Sequence, residues 1–273
     1  MKLGSTLKKI RKQQHLSQKE VSEGICAQSM LSAVENDQYV PNAALLIKLC
    51  KRLCISLDRF SLADNFDISS AAKFNQTVET LCNQHEYLKL KTFLLDPSTA
   101  NQVETAAQTQ AYYYYLGVAQ FQADQNLDAA QANFRLSISS AEEKGRLSTL
   151  TRLGLISLAV IKAKYRQQVS TDKLVKQSLD AIETANYEEN LNILFYLSAL
   201  IAYEFQKNTL ALSRVNQAID FITQHNSHYM LANCYRLIAQ IAADAGDRER
   251  QLEATQRQKF LTELFHEHVN NQF

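Results

Sequence analysis

Hydrophobic residues follow two different rhythms along this chain. In the first sixty residues the apolar stretches are short. Leu3, Leu7 and Ile10 recur at helical spacing with Lys8, Lys9, Arg11 and Lys12 between them, and Leu45, Leu46, Leu49 and Leu53 repeat the pattern after Pro41. Between these stretches, Ser17 and Glu20 have the spacing of a capping box, in which each side chain satisfies an orphan amide at a helix start. A helix is therefore predicted from Gln18. Gly24 ends it, because glycine accepts the left-handed backbone of a tight turn. A second short helix follows from about Gln28 to Asn36, with Leu31 and Val34 facing inward and Gln28, Ser29, Met30, Ser32 and Ala33 mostly outside. Residues 57–66 are expected to add a short last helix.

From about residue 70 a longer period takes over. The segments YYLGVAQF (114–121), RLGLISLA (152–159), YLSALIAY (196–203) and YRLIAQIA (235–242) share a leucine followed by small residues, and Leu116, Leu153, Leu197 and Leu237 lie 37, 44 and 40 residues apart. Each is followed by a second amphipathic stretch, at 129–141, 173–185, 210–222 and 249–261. This is the signature of a helix-hairpin repeat, slightly longer than the ~34-residue tetratricopeptide unit. Gly117 and Gly154 stand where two helices must approach, and Ala199 and Ala239 take a similar place later. Residues 71–96 read as a degenerate first hairpin stopped at Asp96-Pro97, since proline cannot extend the preceding helix. The final helix, through about Glu267, is polar enough on one side to cap the stack. With six Gly and two Pro in 273 residues, and no alternating Val/Ile/Thr run, the fold is predicted to be all-α.

Length and charge agree with two parts. A chain of this size exceeds one small domain at ~100–200 residues each. Residues 1–60 hold ten Lys and Arg against five Asp and Glu, and the remainder nineteen against twenty-three, so a formal net charge of +1 hides a basic N-terminal end. The expected domains are 1–66 and 67–273. Cys26, Cys50, Cys54, Cys82 and Cys234 are odd in number and never form a CxxC pair, which suits buried thiols in a reducing cytosol. No apolar run approaches the ~18–20 residues of a membrane span, and Met1-Lys2 leads into a polar helix, so a cytoplasmic location is expected.

Catalysis and metal binding find little support. His225, His228 and Cys234, and His266 with Glu267 and His268, lack the spacing of a known zinc site. Glu142-Glu143 reads as a solvated helix end. There is no phosphate loop and no GxSxG, so neither an enzyme nor a cofactor is expected.

Arg11, Gln18, Gly24, Leu31-Ser32, Glu35 and Pro41 match the pattern of the Xre/phage-repressor helix-turn-helix family, which this chain resembles over residues 3–60. The resemblance implies DNA binding, with an Arg11–Glu35 ion pair joining the first and third helices. Gln28, Ser29, Met30, Ser32 and Ala33 would lie on the recognition helix, where Gln can pair with an adenine edge and small groups can meet other bases. Lys9, Lys12 and Gln18 would contact phosphates. The turn Ile25-Cys26-Ala27-Gln28-Ser29 is one residue longer than the commonest form and resembles that of PlcR-type regulators.

The Tyr113-Leu116-Gly117 and Ala130-Phe134 spacing resembles the tetratricopeptide consensus with one extra residue in the turn. If each key leucine holds one fixed repeat position, that resemblance turns Tyr114, Val118, Phe121 and Gln122, then Asn192, Phe195 and Tyr203, then Ala232 and Tyr235 toward a concave wall. Amides there could clamp a peptide backbone and aromatic rings could form pockets. Of Tyr112 to Tyr115, only one or two can face a ligand. The whole chain resembles the PlcR/Rgg-type peptide-responsive regulators of Gram-positive bacteria. This implies a homodimer on a pseudo-palindromic DNA site, switched by a short signalling peptide at Tyr114, Gln122, Asn192, Phe195, Tyr203 and Tyr235. The alternative is a DNA-bound scaffold whose repeats dock a folded protein partner without a small effector.

Overall fold

The computed structural model describes residues 3–36, 38–39, 41, 43–53, 66–142 and 147–265. The chain forms two compact units, Met1–Leu62 and Ala63–Phe273, and the described residues are helical with no strand among them.

The first unit contains α1 (Leu3–Gln13), α2 (Gln18–Ser22), α3 (Gln28–Glu35) and α4 (Ala43–Arg52). Their apolar stripes meet in a small core of Leu7, Val21, Leu31, Val34, Leu49, Cys50 and Leu53. The capping box forms as its spacing predicts: Ser17 Oγ accepts from the Glu20 amide at 3.2 Å, and Glu20 accepts from the Ser17 amide at 2.7 Å. Gly24 has φ +72°, the left-handed backbone that ends α2. Arg52 then donates to the Glu20 and Glu23 carbonyls at 2.6 and 2.9 Å, which satisfies the end of this five-residue helix from outside it. The last helix predicted over 57–66 lies outside the described residues except for Phe66. That residue is not helical, and it packs edge-on against Tyr114 of the second unit, with ring centroids 6.4 Å apart.

The described residues of the second unit form a stack of five helical hairpins. They are α5 (Ala72–Asn83) with α6 (Tyr87–Leu95), α8 (Ala106–Asp124) with α9 (Leu127–Ser139), α10 (Thr149–Lys164) with α11 (Gln168–Ser178), α12 (Leu191–Glu204) with α13 (Asn208–Gln224), and α14 (Leu231–Asp244) with α15 (Arg248–Phe265). After α6, Pro97 opens the short helix α7 (Pro97–Ala100), capped by Asp96. Successive hairpins pack through α6 on α8, α9 on α10, α10 on α12 and α13 on α14.

The ends of the first helices recur more regularly along the chain than the leucines do. Asp124, Lys164, Glu204 and Asp244, which close the first helix of four hairpins, are each 40 residues apart. Every hairpin turn contains one left-handed residue, in order His85, Gln125, Arg166, Gln206 and Gly246. Predicted second helices were correct in place and shifted in extent. The largest difference is α11, which starts five residues before the predicted 173 and stops at Ser178, because Ala181 adopts φ 48° and the chain passes into a 3-10 turn at Ile182–Thr184.

Gly117 has the role foreseen for it. A Cβ there would lie 2.8 Å from the Phe134 ring of its own hairpin partner α9. Gly154 makes room for a different helix, since its Cβ would lie 3.0 Å from Ile138, which belongs to the preceding hairpin. The terminal helix α15 departs from a polar cap by exposing Leu252, Phe260 and Leu264.

Candidate functional site

In the first unit, the exposed side of α3 carries Gln28, Ser29 and Met30, with Ser32 and Ala33 half-buried beside them. This face is held by a relay of side chains. Arg11 Nε and one terminal nitrogen donate to the two oxygens of Glu35 at 2.6 and 2.9 Å, the bidentate pair that ties α1 to α3. Gln18 Nε2 donates to Glu35 at 2.7 Å, and Gln28 Nε2 donates to Gln18 Oε1 at 2.6 Å. Gln18 therefore bridges the buried ion pair and the exposed end of α3. Burial raises the Glu35 pKa, but hydrogen bonds from Arg11 and Gln18 and the charges of Arg11 and Lys8 outweigh it, so the carboxyl is held below the ordinary range. The glutamate stays ionised, and the relay keeps one hydrogen-bond direction. Lys9 and Lys12 are exposed on α1, and Lys8 donates to Asn36 at 2.9 Å, fixing the end of α3.

In the second unit, the first helices of the hairpins surround a cavity of about 460 Å³, to which all five hairpins contribute. Three helices present it with matching stripes: Tyr114, Val118, Phe121 and Gln125 from α8 with its end; Leu153, Ser157, Val160 and Lys164 from α10; Ile193, Leu197 and Leu200 from α12. Such steps of three and four residues keep one helix face turned inward. Asn83, Gln122, Asn190 and Asn233 add amides, and Cys82, Tyr87, Tyr196, Tyr229 and Phe265 complete much of the wall. Burial pushes the Cys82 thiol and the Tyr87 phenol up to about 12, and the Tyr114 phenol up as well. These groups are neutral hydrogen-bonding atoms at physiological pH. Among the described lining residues there is no carboxylate, while Lys164 and His85 are basic.

Residues 7–60 match the Helix-turn-helix family. No curated protein matches the chain by sequence. Among solved structures, the chain is similar to Bacillus thuringiensis PlcR in complex with the peptide PapR7 and DNA, at 22% identity and TM-score 0.62, covering 97% of this chain and 95% of that one. It is also similar to PlcR in its apo form, at 18% identity and TM-score 0.57, covering 97% and 94%. This chain has the PlcR fold. A helix-turn-helix followed by helical repeats is thus its architecture from end to end.

Within the PlcR-like repeat unit, the cavity gathers only some of the residues assigned to it from sequence. Tyr114 and Gln122 line it, and of the four consecutive tyrosines Tyr114 and Tyr115 do so. Tyr112 instead donates to the Leu94 carbonyl at 2.8 Å. Asn192, Phe195, Tyr203 and Tyr235 are outside the lining. Asn192 is 0% exposed, and its amide donates to Ser227 Oγ and the Tyr229 carbonyl at 3.2 Å each, pinning the start of α12 to the loop before α14. Phe195 stacks on Phe221 of its own hairpin partner with centroids 4.1 Å apart. Tyr203 donates to Asp244 at 2.7 Å, and Tyr235 accepts from Arg257 at 3.1 Å.

The difference is one of helix face, not of repeat spacing. The leucines keep step with the hairpin turns, since Leu116 to Leu197 and Gln125 to Gln206 are both 81 residues, and Leu197 to Leu237 and Gln206 to Gly246 both 40. Yet α12 and α14 turn a neighbouring face inward, so Ile193 and Asn233 face the cavity where Asn192 and Ala232 were expected. No sequence signal marks that rotation.

The histidines weighed as metal ligands have other partners. His225 stacks on Tyr187 at 4.0 Å between centroids, and His228 stacks on Phe265 at 3.7 Å. Among the described residues no group of three His, Cys, Asp or Glu could hold a metal ion. His266, Glu267 and His268 lie outside the described residues.

Proposed function

We propose that this protein is a sequence-specific DNA-binding transcriptional regulator whose DNA affinity is set by a short signalling peptide held in the cavity of its repeats. One observation carries the reading: the chain shares, over 97% of its length, the fold of a protein whose solved complex contains both a peptide and DNA. The cavity has the chemistry for an extended peptide, because amides offer donor and acceptor to a backbone while aromatic and aliphatic walls take side chains. A concave, half-open cavity of this size favours a short chain over a folded protein docking on a broad face.

In this reading Gln28, Ser29, Met30, Ser32 and Ala33 meet base edges, Lys9 and Lys12 meet phosphates, and Gln18 orients Gln28 from its place in the relay. Peptide contacts centre on Tyr114 and Gln122, with Gln125, Asn190 and Asn233 added. Asn192, Phe195, Tyr203 and Tyr235 instead tie α12 and α14 to neighbouring elements. One recognition helix reads few base pairs, so a homodimer on a pseudo-palindromic site follows, with half-sites about one helical turn or a multiple of it apart. The reading needs no cofactor. No described helix is long and apolar enough to cross a membrane, and the described cysteines are free, which supports action in the cytoplasm.

Selection of bound sites from random DNA tests it, repeated with synthetic fragments of any short secreted peptide encoded beside the gene. A pseudo-palindrome whose enrichment changes with one peptide is the expected result. A protein that retains no DNA sequence, with or without peptide, is not such a regulator.

A further inference from the structure

One cavity residue is engaged on both sides. Lys164, at the end of α10, lines the cavity and forms an ion pair with Glu204, at the end of α12 and outside the lining. That pair is one of three polar links that make a rail between hairpins. Lys91 on α6 pairs with Asp124 of α8 at 2.7 Å, Lys164 with Glu204, and Tyr203 of α12 donates to Asp244 of α14 at 2.7 Å. Each link joins one hairpin to another. The lysine that faces the cavity thus also fastens the third hairpin to the fourth.

We infer that Lys164 selects a peptide bearing a carboxylate and reports its arrival by exchanging Glu204 for the ligand. This rests on the reading of the cavity as a peptide site. Three observations carry it. No carboxylate lines the cavity among the described residues, so at Lys164 a ligand anion competes with the carboxylate of Glu204 behind it and with none on the wall. The ammonium is a compact charge on a flexible stem that can turn from one carboxylate to another. Finally, Arg166 already donates to the backbone carbonyl of Glu204, so a second cation stands beside that glutamate when Lys164 leaves.

Exchange moves a link of the rail at the junction of two hairpins, and a stack of hairpins transmits a change at one junction to its neighbours. The carboxylate can come from an acidic side chain or from the peptide's C-terminus.

The probe is a synthetic hexapeptide library of Phe, Leu, Asn, Gln and Glu with a free C-terminal acid. Two matched libraries replace Glu by Gln or the free acid by an amide, and a third makes both changes. Each is equilibrated with the full-length protein as wild type, Lys164→Gln, Lys164→Arg and Glu204→Gln, after thermal melts confirm folding. Wild type should retain carboxylate peptides about tenfold or more over the doubly neutral library, as loss of a charge-assisted contact predicts. The two singly neutral libraries identify which carboxylate is bound. Lys164→Gln should lose the preference and Lys164→Arg keep part of it.

Glu204→Gln breaks the same ion pair, yet it should tighten carboxylate binding several-fold by freeing the lysine. A merely structural pair would make Lys164→Gln and Glu204→Gln change binding alike, which overturns the inference. Equal retention of the neutral library by wild type overturns it too, while leaving the peptide reading intact. Retention of no peptide from any library overturns the peptide reading itself.

Discussion

At the scale of single residues, close contact and charge decide more than hydrophobicity does. Gly117 faces the Phe134 ring so closely that even a methyl group must displace a buried aromatic side chain. Gly117→Ala is therefore expected to destabilise the protein by about 1–3 kcal/mol, the usual cost of overpacking. Thermal unfolding checks this, and adding Phe134→Leu should recover part of the loss. Glu35 gives a pH dependence of definite sign. Its folded pKa is lowered, so its contribution is fully present above the unfolded value and disappears as pH falls through the folded one. Stability followed by denaturant titration should fall as pH drops below the ordinary glutamate value of about 4.3, and Glu35→Gln should flatten that fall while lowering stability at pH 7. A Glu35→Gln protein with the wild-type pH profile would remove the ion pair from the account. Both residues were visible in the sequence, Gly117 by its place after a repeat leucine and Glu35 by its match to a motif. The Gln18–Gln28 hydrogen bond was not, because the two side chains meet only after the turn between α2 and α3 has closed.

Elements divide into those that sequence marks and those it leaves unmarked. Helices α2 and α3 were legible to within a residue because a capping box, a left-handed glycine and a hydrophobic pair all act within twenty residues. Hairpins of the repeat were legible as a rhythm, but the face that α12 and α14 turn inward was not. Leucines and hairpin turns keep the same spacing from α8 to α12 to α14, so neither reveals how each helix is rotated about its axis in the stack. Four cavity residues were misplaced for that reason, while α8 delivered Tyr114 and Gln122. The exposed face of α3 makes the prediction that belongs to this scale. Replacing Gln28 or Ser29 by Ala should cost about 1–3 kcal/mol on a selected site and relax base preference there. Replacing Lys9 or Lys12 should weaken all sequences alike and flatten the salt dependence. Competition binding against random DNA separates the two. Unchanged site preference in Gln28→Ala would place base reading elsewhere.

At the scale of the whole molecule, a helix-turn-helix unit is joined in one chain to a hairpin stack that lines a cavity, and in the proposed function occupancy of that cavity alters DNA affinity. A ligand can do so only if it binds the two states of the protein unequally. The direct test is anisotropy of a selected DNA duplex titrated with protein, with and without a captured peptide, for wild type and for Val118→Trp. Val118 is half-buried on the cavity wall and is not part of the helix-turn-helix core, and an indole there fills space the peptide requires. Wild type should change its DNA affinity by about 5–150-fold when peptide is added, the usual range of coupling between sites. Val118→Trp should bind DNA as the peptide-free wild type does and ignore the peptide. A Val118→Trp protein that still responds fully to peptide would contradict the account.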